Sequence, residues 1–378
     1  MVASYCATFL KPEMLHIYRQ ITSLRRVRPV VIAQKLENQE DFPFHDIHII
    51  RKPTFHFLRR IWFKQIADRP WHISLAEVRA IERALTENNA QLLHVYFGHI
   101  AVLLRPLIRQ WQKPSVVSFH GADVLVDMQK PAYRRATKEM LSLVRRVLVR
   151  SDSLRQAVID LGCAPEKIEI QRTGIPLTEF LFRERSIPGN RQWRLLQAGR
   201  LIEKKGLKTT LRAFAKFGKE FPGARLTIAG EGPQLKELQA LARELQIDGV
   251  VDFAGFVSQE ELRELFNEAH IFLHPSETGR DGNQEGVPNS MLEAMASGLP
   301  VFATWHGGIP EAVENNISGI LVNERDYRAL ADGLIETAKS PARLRAMGRM
   351  ASENVAKKFS QAEQTRWLEE IYLREIGR

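Results

Sequence analysis

The sequence predicts an α/β protein with two Rossmann-like, doubly wound domains whose strand C-terminal edges face a shared cleft. Two observations support this prediction. The chain of 378 residues is longer than one typical hydrophobic core requires. Short β-type runs also alternate with helical runs along the chain, as in parallel sheets covered by helices. We expect one domain over residues 1–185, a second over residues 186–359 and a final segment over residues 360–378.

The first domain is predicted from runs rich in β-branched and aromatic residues, separated by runs of helical composition. The β-type runs are Val2–Phe9, Pro29–Ala33, Gln91–Phe97, Ser115–Phe119 and Val147–Arg150. The main helical runs are Met14–Leu24, His99–Trp111, Tyr133–Leu143 and Leu154–Leu161.

A polar run with Pro and Gly, residues 184–190, is the predicted linker, and a second alternating block follows it. Ser258 and Glu261 have the spacing of a capping box, so a helix is expected to begin there. The β-type runs are Arg194–Ala198, Ala224–Ala229, Val250–Phe253, Ala269–Pro275 and Val301–Thr304. The helical runs include Leu207–Glu220, Gln234–Leu245 and Gln361–Ile376.

Composition excludes several classes of protein. Cys6 and Cys163 are the only cysteines and neither has zinc-ligand spacing, so a reducing cytoplasm is the expected location. No apolar run approaches the roughly 20 residues that span a bilayer, and no signal peptide opens the sequence. The basic residues lie on alternating α/β elements without a nucleic-acid-reading motif, so a nucleic-acid partner is not expected.

The positive charge is concentrated in the first half. Residues 1–185 carry a net charge of +11 and the rest carry −1, which indicates an anionic partner for the first domain. As a helix, residues 51–71 would place Leu58, Ile61, Trp62 and Ile66 on one side, near Arg59, Arg60 and Lys64. This composition is typical of an interfacial segment on an anionic membrane surface, and a core-facing helix with snorkelling basic residues is the alternative.

The stretch from Ser276 to Pro300 joins a strand end to a helix start, for which Pro288 suits the first position. The unpaired N–H groups of a helix start attract an anion, and Glu285 would stand beside them. Glu293, inside the helix, can accept hydrogen bonds from vicinal hydroxyls such as those of a ribose. Alternatively, both glutamates are ordinary solvated carboxylates.

The two glutamates form an E-x7-E pattern within residues 284–304, which read QEGVPNSMLEAMASGLPVFAT. This stretch resembles the donor-site signature of the retaining glycosyltransferases of family 4, which have the GT-B fold. The resemblance implies that Glu285 and main-chain groups around the helix start hold the donor sugar, and that the last helix crosses back to the first domain. The main-chain groups are those of Gly286, Val287, Pro288, Asn289 and Ser290.

Arg200 and Lys205 follow a strand directly in the run Ala198–Gly206. Two cations and flanking glycines there predict a phosphate site, although an exposed basic loop is the alternative. The run is similar to the family's phosphate-binding pattern G-R-L-x-x-x-K-G, so both residues are expected to stabilise the leaving diphosphate. With no D-x-D element to bind a bridging ion, we expect neither a metal nor any other cofactor.

Other candidates come mainly from the resemblance. Gly230, in a glycine-rich turn, and Phe256 are implied to lie around the nucleotide base and ribose; a plain tight turn is the alternative for Gly230. The motif F-H-G-x-D looks like the family's histidine element, which meets the transferred sugar. It contains His120 and Asp123. His99 has a weaker claim on the same cleft. At Lys11–Leu15 the sequence departs from the family's usual loop, which leaves open both the acceptor and the first-domain side of the donor pocket.

The predicted function is retaining transfer of a sugar from a nucleotide-sugar donor, with UDP favoured over GDP, to a lipid-linked or growing polysaccharide acceptor. The Q-E-G form with Asp281-Gly282 ahead of it is similar to the polysaccharide-assembly branch. The expected location is the cytoplasm, peripherally on the inner face of the cytoplasmic membrane. Alternatives are a soluble enzyme acting on a free saccharide or a small phosphorylated acceptor, and a non-catalytic nucleotide-sugar-binding recruitment subunit.

Overall fold

A computed structural model of the chain describes residues 1–11, 14–40, 42–53, 56–66, 70–124, 128–189, 192–280 and 285–377. The chain divides into two compact units. The first consists of residues 1–174 and 361–378, and the second of residues 175–360. Each contains its own parallel sheet covered by helices, the organisation of the GT-B fold.

The sheet of the first unit has seven strands in the described residues, in the order β3-β2-β1-β4-β5-β6-β7, and all pairs are parallel. The central strands are buried at every position because helices cover both faces. The strands are β1 Val2–Phe9, β2 Pro29–Leu36, β3 Ile47–Ile49, β4 Leu92–Tyr96, β5 Ser115–Phe119, β6 Arg146–Val149 and β7 Ile168–Ile170. The helices before residue 174 are α1 Leu15–Thr22, α2 His56–Ile61, α3 Leu75–Glu87, α4 Gly98–Leu103, α5 Arg105–Gln110, α6 Pro131–Leu143 and α7 Asp152–Asp160.

The sheet of the second unit has six strands within its described part, in the order β10-β9-β8-β11-β12-β13, again all parallel. Its strands are β8 Arg194–Ala198, β9 Arg225–Ala229, β10 Val251–Gly255, β11 Ile271–His274, β12 Val301–Thr304 and β13 Gly319–Val322. Its helices are α8 Leu207–Glu220, α9 Leu235–Glu244, α10 Gln259–Glu268, α11 Asn289–Ala296, α12 Ile309–Ala312, α13 Tyr327–Ala338 and α14 Pro341–Lys358.

The last helix, α15 Gln361–Ile376, packs on the first unit. Its Leu368, Ile371 and Tyr372 are fully buried in one cluster with residues from four strands of the first sheet. The carboxylate of Glu369 accepts hydrogen bonds from the backbone N–H groups of Arg25 and Arg26 at 2.6 and 2.5 Å. Both apolar burial and polar contacts therefore attach α15 to this unit.

The boundary between the units lies at Gly174, not at residue 185 as the sequence suggested. Residues after 174 pack into the second unit because Phe180 is buried against Phe266. The guanidinium of Arg185, itself buried, donates hydrogen bonds to the carbonyl oxygens of Ala269 and Ser297. The start of the predicted linker is thus part of a core.

The helical run predicted over residues 99–111 is two helices, α4 and α5. Pro106 occupies the first turn of α5, where its missing N–H removes no hydrogen bond, and it ends the preceding helix because it disfavours continuation.

Helix α2 and the π-helical turn Trp62–Ile66 that continues it leave five apolar side chains exposed, while Phe63 is half-buried. The core-facing alternative for this segment is therefore wrong for those five side chains. Residues 54–55 and 67–69 and the side chain of Lys64 lie outside the described part. No helix in the described residues is long and apolar enough to cross a bilayer. The exposed side chains are Phe57, Leu58, Ile61, Trp62 and Ile66.

Candidate functional site

The strand order of the second sheet reverses between β8 and β11, and such a switch point opens a crevice at the C-terminal ends of the two strands. The loop after β8 carries Arg200 and Lys205, and the loop after β11 leads to Glu285 and α11. The two loops are in close contact: Gly206 has a φ of +63°, and a Cβ there would lie 1.7 Å from the carbonyl oxygen of Pro275. Only glycine fits this approach.

Glu285 and Lys205, predicted independently, form an ion pair in which the Glu285 carboxylate lies against Lys205 Nζ. Lys204, which the sequence analysis did not single out, lies 3.6 Å from the other oxygen of Glu285. Burial opposes ionisation of Glu285, but Lys205 and Lys204 outweigh it and lower its pKa to about 2. The glutamate is therefore a buried anion held between two lysines.

Arg200 is exposed and forms no ion pair with the described carboxylates. It lies near enough to Lys204 to contribute to lowering the pKa of that lysine, after burial and together with Lys205, while Glu285 opposes the shift. The three cations and one carboxylate leave two net positive charges at this switch point. No group of three or more His, Cys, Asp and Glu side chains that could hold a metal ion occurs in the described residues.

The start of α11 contacts the end of β8. Pro288 is the N-cap, one residue before the helix, rather than its first residue as predicted from sequence. The hydroxyl of Ser290 donates a hydrogen bond to the carbonyl oxygen of Ala198 at 2.8 Å, which brings the helix start beside the loop of Arg200. Gly286 and Pro288 are buried, Val287 and Asn289 are half-buried, and Glu293 is 5% exposed within the helix.

The turn after β9 is adjacent to the same region. The N–H of Gly230 donates to the carbonyl oxygen of Gly255 at 2.6 Å, so the ends of β9 and β10 are held together. Phe256 follows directly and is 65% exposed. A large exposed apolar ring beside a strand end is available to contact a flat ligand group.

His306 contacts Glu285 and Glu324 contacts His306, and neither residue was assigned a role from sequence. The backbone N–H of Glu285 donates to His306 Nε2 at 2.9 Å. His306 Nδ1 is 2.6 Å from Glu324 Oε1, and Glu324 Oε2 accepts the N–H of Thr278 at 2.8 Å. His306 lies in a W-H-G-G run that marks a turn, but the sequence carries no signal that pairs it with a glutamate 18 residues later.

In the first unit, His120 and Asp123 are hydrogen-bonded to each other directly after β5. Asp123 accepts backbone N–H groups from His120, Gly121 and Gly98 at 2.8 to 2.9 Å. Burial raises the pKa of Asp123 to about 6 despite these hydrogen bonds. Burial also lowers the pKa of His120 well below its usual value, so the imidazole is neutral.

His99 is close to this group without bonding to it. Its ring centroid lies 5.8 Å from that of Phe97, which in turn contacts the ring of His120 at 4.6 Å. His99 Nδ1 is buried and has no hydrogen-bond partner in the described residues. Burial lowers the pKa of His99.

A second histidine, His16 of α1, was missed from sequence and contacts His120 directly. Its Nε2 lies 3.2 Å from His120 Nδ1, while His120 Nε2 lies 2.9 Å from the hydroxyl of Ser118. His16 lies just after Lys11–Leu15, the run that departs from the family pattern, and residues 12–13 of that run are outside the described part. Asp281 and Gly282, used in the branch assignment, are outside it as well.

A cavity of about 780 Å³ in the first unit is unrelated to these groups, because it lies where β5 and β6 begin rather than where they end. Charged side chains that line this cavity already have hydrogen-bond partners within the unit. Lys167 donates to three carbonyl oxygens of the α6 C-terminus, including that of Ser142 at 2.8 Å, and Arg146 donates to Glu375 at 2.6 Å.

Comparison with known proteins adds family relationships to this geometry. Residues 15–179 match the family model described as Glycosyltransferase Family 4, and residues 179–354 match the model described as Glycosyl transferases group 1. The two matches meet near the boundary of the two structural units.

Two relatives are named for bacterial polysaccharide biosynthesis. The chain is 34% identical over 290 residues to the amylovoran biosynthesis glycosyltransferase AmsK of Erwinia amylovora, with 75% of this chain and 70% of that protein covered. It is 36% identical over 247 residues to a protein named for colanic acid biosynthesis, the glycosyltransferase WcaL of Salmonella typhimurium, with 64% of this chain covered. That alignment spans 60% of WcaL, which is less than two thirds of its length.

Among solved structures, HepE of Anabaena in complex with UDP-glucose has the same fold. It superposes with a TM-score of 0.77 over 99% of this chain and all of HepE, at 18% identity. At that identity the likeness establishes the fold alone.

Proposed function

Because the chain belongs to glycosyltransferase family 4, we propose that it transfers a sugar from a nucleotide-sugar donor to a lipid-linked or growing polysaccharide acceptor, with retention of configuration. A UDP-sugar is favoured over a GDP-sugar as donor. The observation that carries the proposal is the contact of Glu285 with Lys205 and Lys204 beside the start of α11.

The charges at this switch point match those of a nucleotide-sugar. Arg200, Lys204 and Lys205 with Glu285 leave two positive charges, and the diphosphate of such a donor carries two negative ones. As the bond between the sugar C1 and the phosphate oxygen breaks, the leaving diphosphate gains charge that these cations and the N–H groups of the helix start stabilise. In this proposal they replace a divalent ion, so transfer needs no metal.

Each remaining donor group has a candidate partner. Glu293 would hold the ribose hydroxyls, Phe256 and Gly230 would contact the base and ribose, and Glu285 would orient the sugar. His120 is the candidate of the first unit for contact with the transferred sugar. The acceptor oxygen forms its bond to C1 on the face that the diphosphate leaves, and its proton passes to the leaving phosphate oxygen.

Arg200 offers the sharpest test, because it is exposed and its loss leaves no buried group unpaired. We expect Arg200→Ala to lower the rate of sugar transfer or donor hydrolysis about 100-fold or more while the melting temperature stays unchanged. Arg225→Ala is the matched control, since Arg225 is an equally exposed arginine at the opposite end of the same sheet. Equal rates for both variants would reject the assignment, and absence of turnover in the purified wild type would favour the non-catalytic alternative.

Metal independence is tested separately. We expect full activity in EDTA and no increase on adding magnesium or manganese. Activity that vanished in EDTA and returned with magnesium would overturn the proposed mode of diphosphate stabilisation and leave the transfer reaction itself intact.

An anionic membrane surface is the proposed location of the acceptor. The supporting observation is the exposed apolar face of α2 and the turn after it, on which Leu58, Trp62 and Ile66 are 52, 49 and 71% exposed. Exposed Arg60 on the same helix and the net charge of +11 in residues 1–185 add attraction to anionic lipids.

A further inference from the structure

The backbone around Glu285 is held by a partly buried chain of hydrogen bonds that ends on Glu324. Glu324 binds the N–H of Thr278 at 2.8 Å and its hydroxyl at 3.1 Å, and it also binds His306 Nδ1 at 2.6 Å. His306, 2% exposed, in turn receives the N–H of Glu285 at 2.9 Å. One carboxylate is thus connected to both Thr278 and Glu285 within the loop that follows β11.

The partners of His306 determine its tautomer. A backbone N–H can only donate, so Nε2 must carry a lone pair. Nδ1 must then carry the proton that Glu324 accepts. Burial opposes ionisation of Glu324, but the N–H of Thr278 and the imidazole hold the pKa of Glu324 below its usual value. The arrangement is a carboxylate that orients a neutral imidazole as a hydrogen-bond acceptor.

Neighbouring contacts leave the Glu285 peptide little freedom. The N–H of Gly308 donates to the carbonyl oxygen of Gly286 at 3.2 Å. Gly307 has a φ of +52°, and a Cβ there would lie 2.0 Å from the carbonyl oxygen of Glu285. The turn after β12 therefore contacts both sides of Glu285, with His306 on its N–H and Gly307 against its carbonyl oxygen, and the Glu285 side chain extends to Lys205.

We propose that His306 and Glu324 are positioning residues that fix the Glu285 peptide, and through it the carboxylate that orients the donor sugar. The inference rests on the proposed function for that last step. A group misplaced by about 1 Å can cost about 100-fold in rate, so the pair is expected to affect kcat while leaving the affinity for UDP unchanged.

Three substitutions of His306 separate its two hydrogen bonds. The amide of Gln reaches the place of Nε2 and can accept the Glu285 N–H, whereas the amide of Asn reaches only the place of Nδ1 and can donate only to Glu324. Leu retains neither. We expect His306→Gln to keep kcat within about tenfold of wild type, and His306→Asn and His306→Leu to lose about 100-fold, with an unchanged Kd for UDP in all three.

Amide hydrogen exchange supplies a readout that does not depend on activity. The Glu285 amide is expected to be protected in the wild type and in His306→Gln, and to exchange faster in His306→Asn, His306→Leu and Glu324→Ala. His270→Leu is the matched control, because His270 Nδ1 also accepts a backbone N–H, that of Arg194 at 3.0 Å, at the far end of the sheet. This control is expected to lower stability and leave kcat and Glu285 exchange unchanged.

Equal kcat in His306→Gln and His306→Asn would overturn the proposal, as would unchanged Glu285 exchange in both His306→Asn and His306→Leu. Failure of the wild type to bind UDP or turn over any donor would reject the proposed function instead. The exchange measurements would still decide whether His306 and Glu324 position this peptide.

Discussion

At the scale of single residues, Glu285 shows how a buried carboxylate remains charged. Its side chain is 11% exposed, and the desolvation penalty is offset by Lys205 and Lys204 on opposite oxygens. The lysines likewise depend on the glutamate, because both are 13% exposed or less. Removal of the glutamate leaves the two lysines close together without the carboxylate that lies between them.

The first prediction concerns stability and pH. The pKa of Glu285 is about 2 in the folded protein against 4.5 for an ordinary glutamate, so the unfolded chain binds more protons in this range. The stabilisation is therefore complete above about pH 4.5 and is lost as the pH falls toward 2. We expect Glu285→Gln to lower stability by about 3 kcal/mol at pH 7 and by progressively less below pH 4.5.

Thermal unfolding from pH 7 to pH 3 measures this difference. Glu237→Gln provides a control, since Glu237 pairs with Lys208 on the surface with 55% of its side chain exposed. A constant difference between wild type and Glu285→Gln across the whole range would contradict the assignment of an ionised Glu285.

At the scale of secondary structure, α2 and the turn Trp62–Ile66 present an apolar face that packing within the unit does not cover. Arg59, on the same helix, contacts the rest of the unit and holds the helix in place. Its guanidinium donates to the carbonyl oxygen of Ile73 at 3.2 Å and lies 5.3 Å from the centre of the Phe63 ring. One side of the helix is anchored and the other faces solvent.

We therefore expect the protein to float with vesicles that contain anionic phosphatidylglycerol at low salt, and to float less at high salt because the charge attraction is screened. Trp62→Glu or Ile66→Glu should reduce the bound fraction several-fold. Leu181→Glu is the control, because Leu181 is 66% exposed in the second unit. Absence of the wild type from the floating fraction at low salt would favour the soluble alternative.

For strands and helices with strong local signals, the sequence predicts the first and last residue correctly. Strands β1, β5, β8 and β12 and helix α8 have the predicted bounds, because their apolar runs are flanked by clear breaks. The missed strands are β3, β7 and β13, three or four residues long at the edges of the sheets. A pattern of that length carries almost no periodicity, and only pairing with a neighbouring strand defines it.

The candidate site was predictable as a set of residues but not as a set of contacts. Glu285 and Lys205 were recognisable because each belongs to a motif beside a strand end. Their ion pair depends on the packing of two loops 80 residues apart, which no local pattern encodes. Lys204, His306 and Glu324 were missed for the same reason, since their roles exist only through those long-range contacts.

At the scale of the whole molecule, buried neutral histidines are expected to set the response to mild acid. Burial lowers the pKa of His16, His94 and His274 to about 3, against 6.5 for an ordinary histidine. The unfolded chain therefore binds protons that the folded chain does not bind, and stability falls as the pH drops below about 6.5. Each such histidine lowers the free energy of unfolding by about 1.4 kcal/mol for every pH unit below that point.

Urea unfolding between pH 7 and pH 5 tests this expectation. His274 is fully buried with no hydrogen-bond partner among the described residues, so His274→Leu removes one protonation site and no described hydrogen bond. In the variant, the slope of the unfolding free energy against pH should correspond to about one proton fewer. Replacement of exposed His45 by Gln should leave this slope unchanged. An unaltered pH dependence in His274→Leu would show that folding does not lower the pKa of His274.

The attachment of α15 to the first unit has a consequence for synthesis of the chain. The ribosome makes β1, β4, β5 and β6 before Leu368, Ile371 and Tyr372, which pack in one cluster with residues of these four strands. The intervening unit begins and ends on adjacent segments, with the N–H of Ile175 bonded to the carbonyl oxygen of Phe359 at 2.7 Å, so it can close while still tethered to the ribosome. The first unit is thus completed only after the whole second unit has been translated, and a nascent chain that stalls before residue 361 would expose that apolar patch to chaperones.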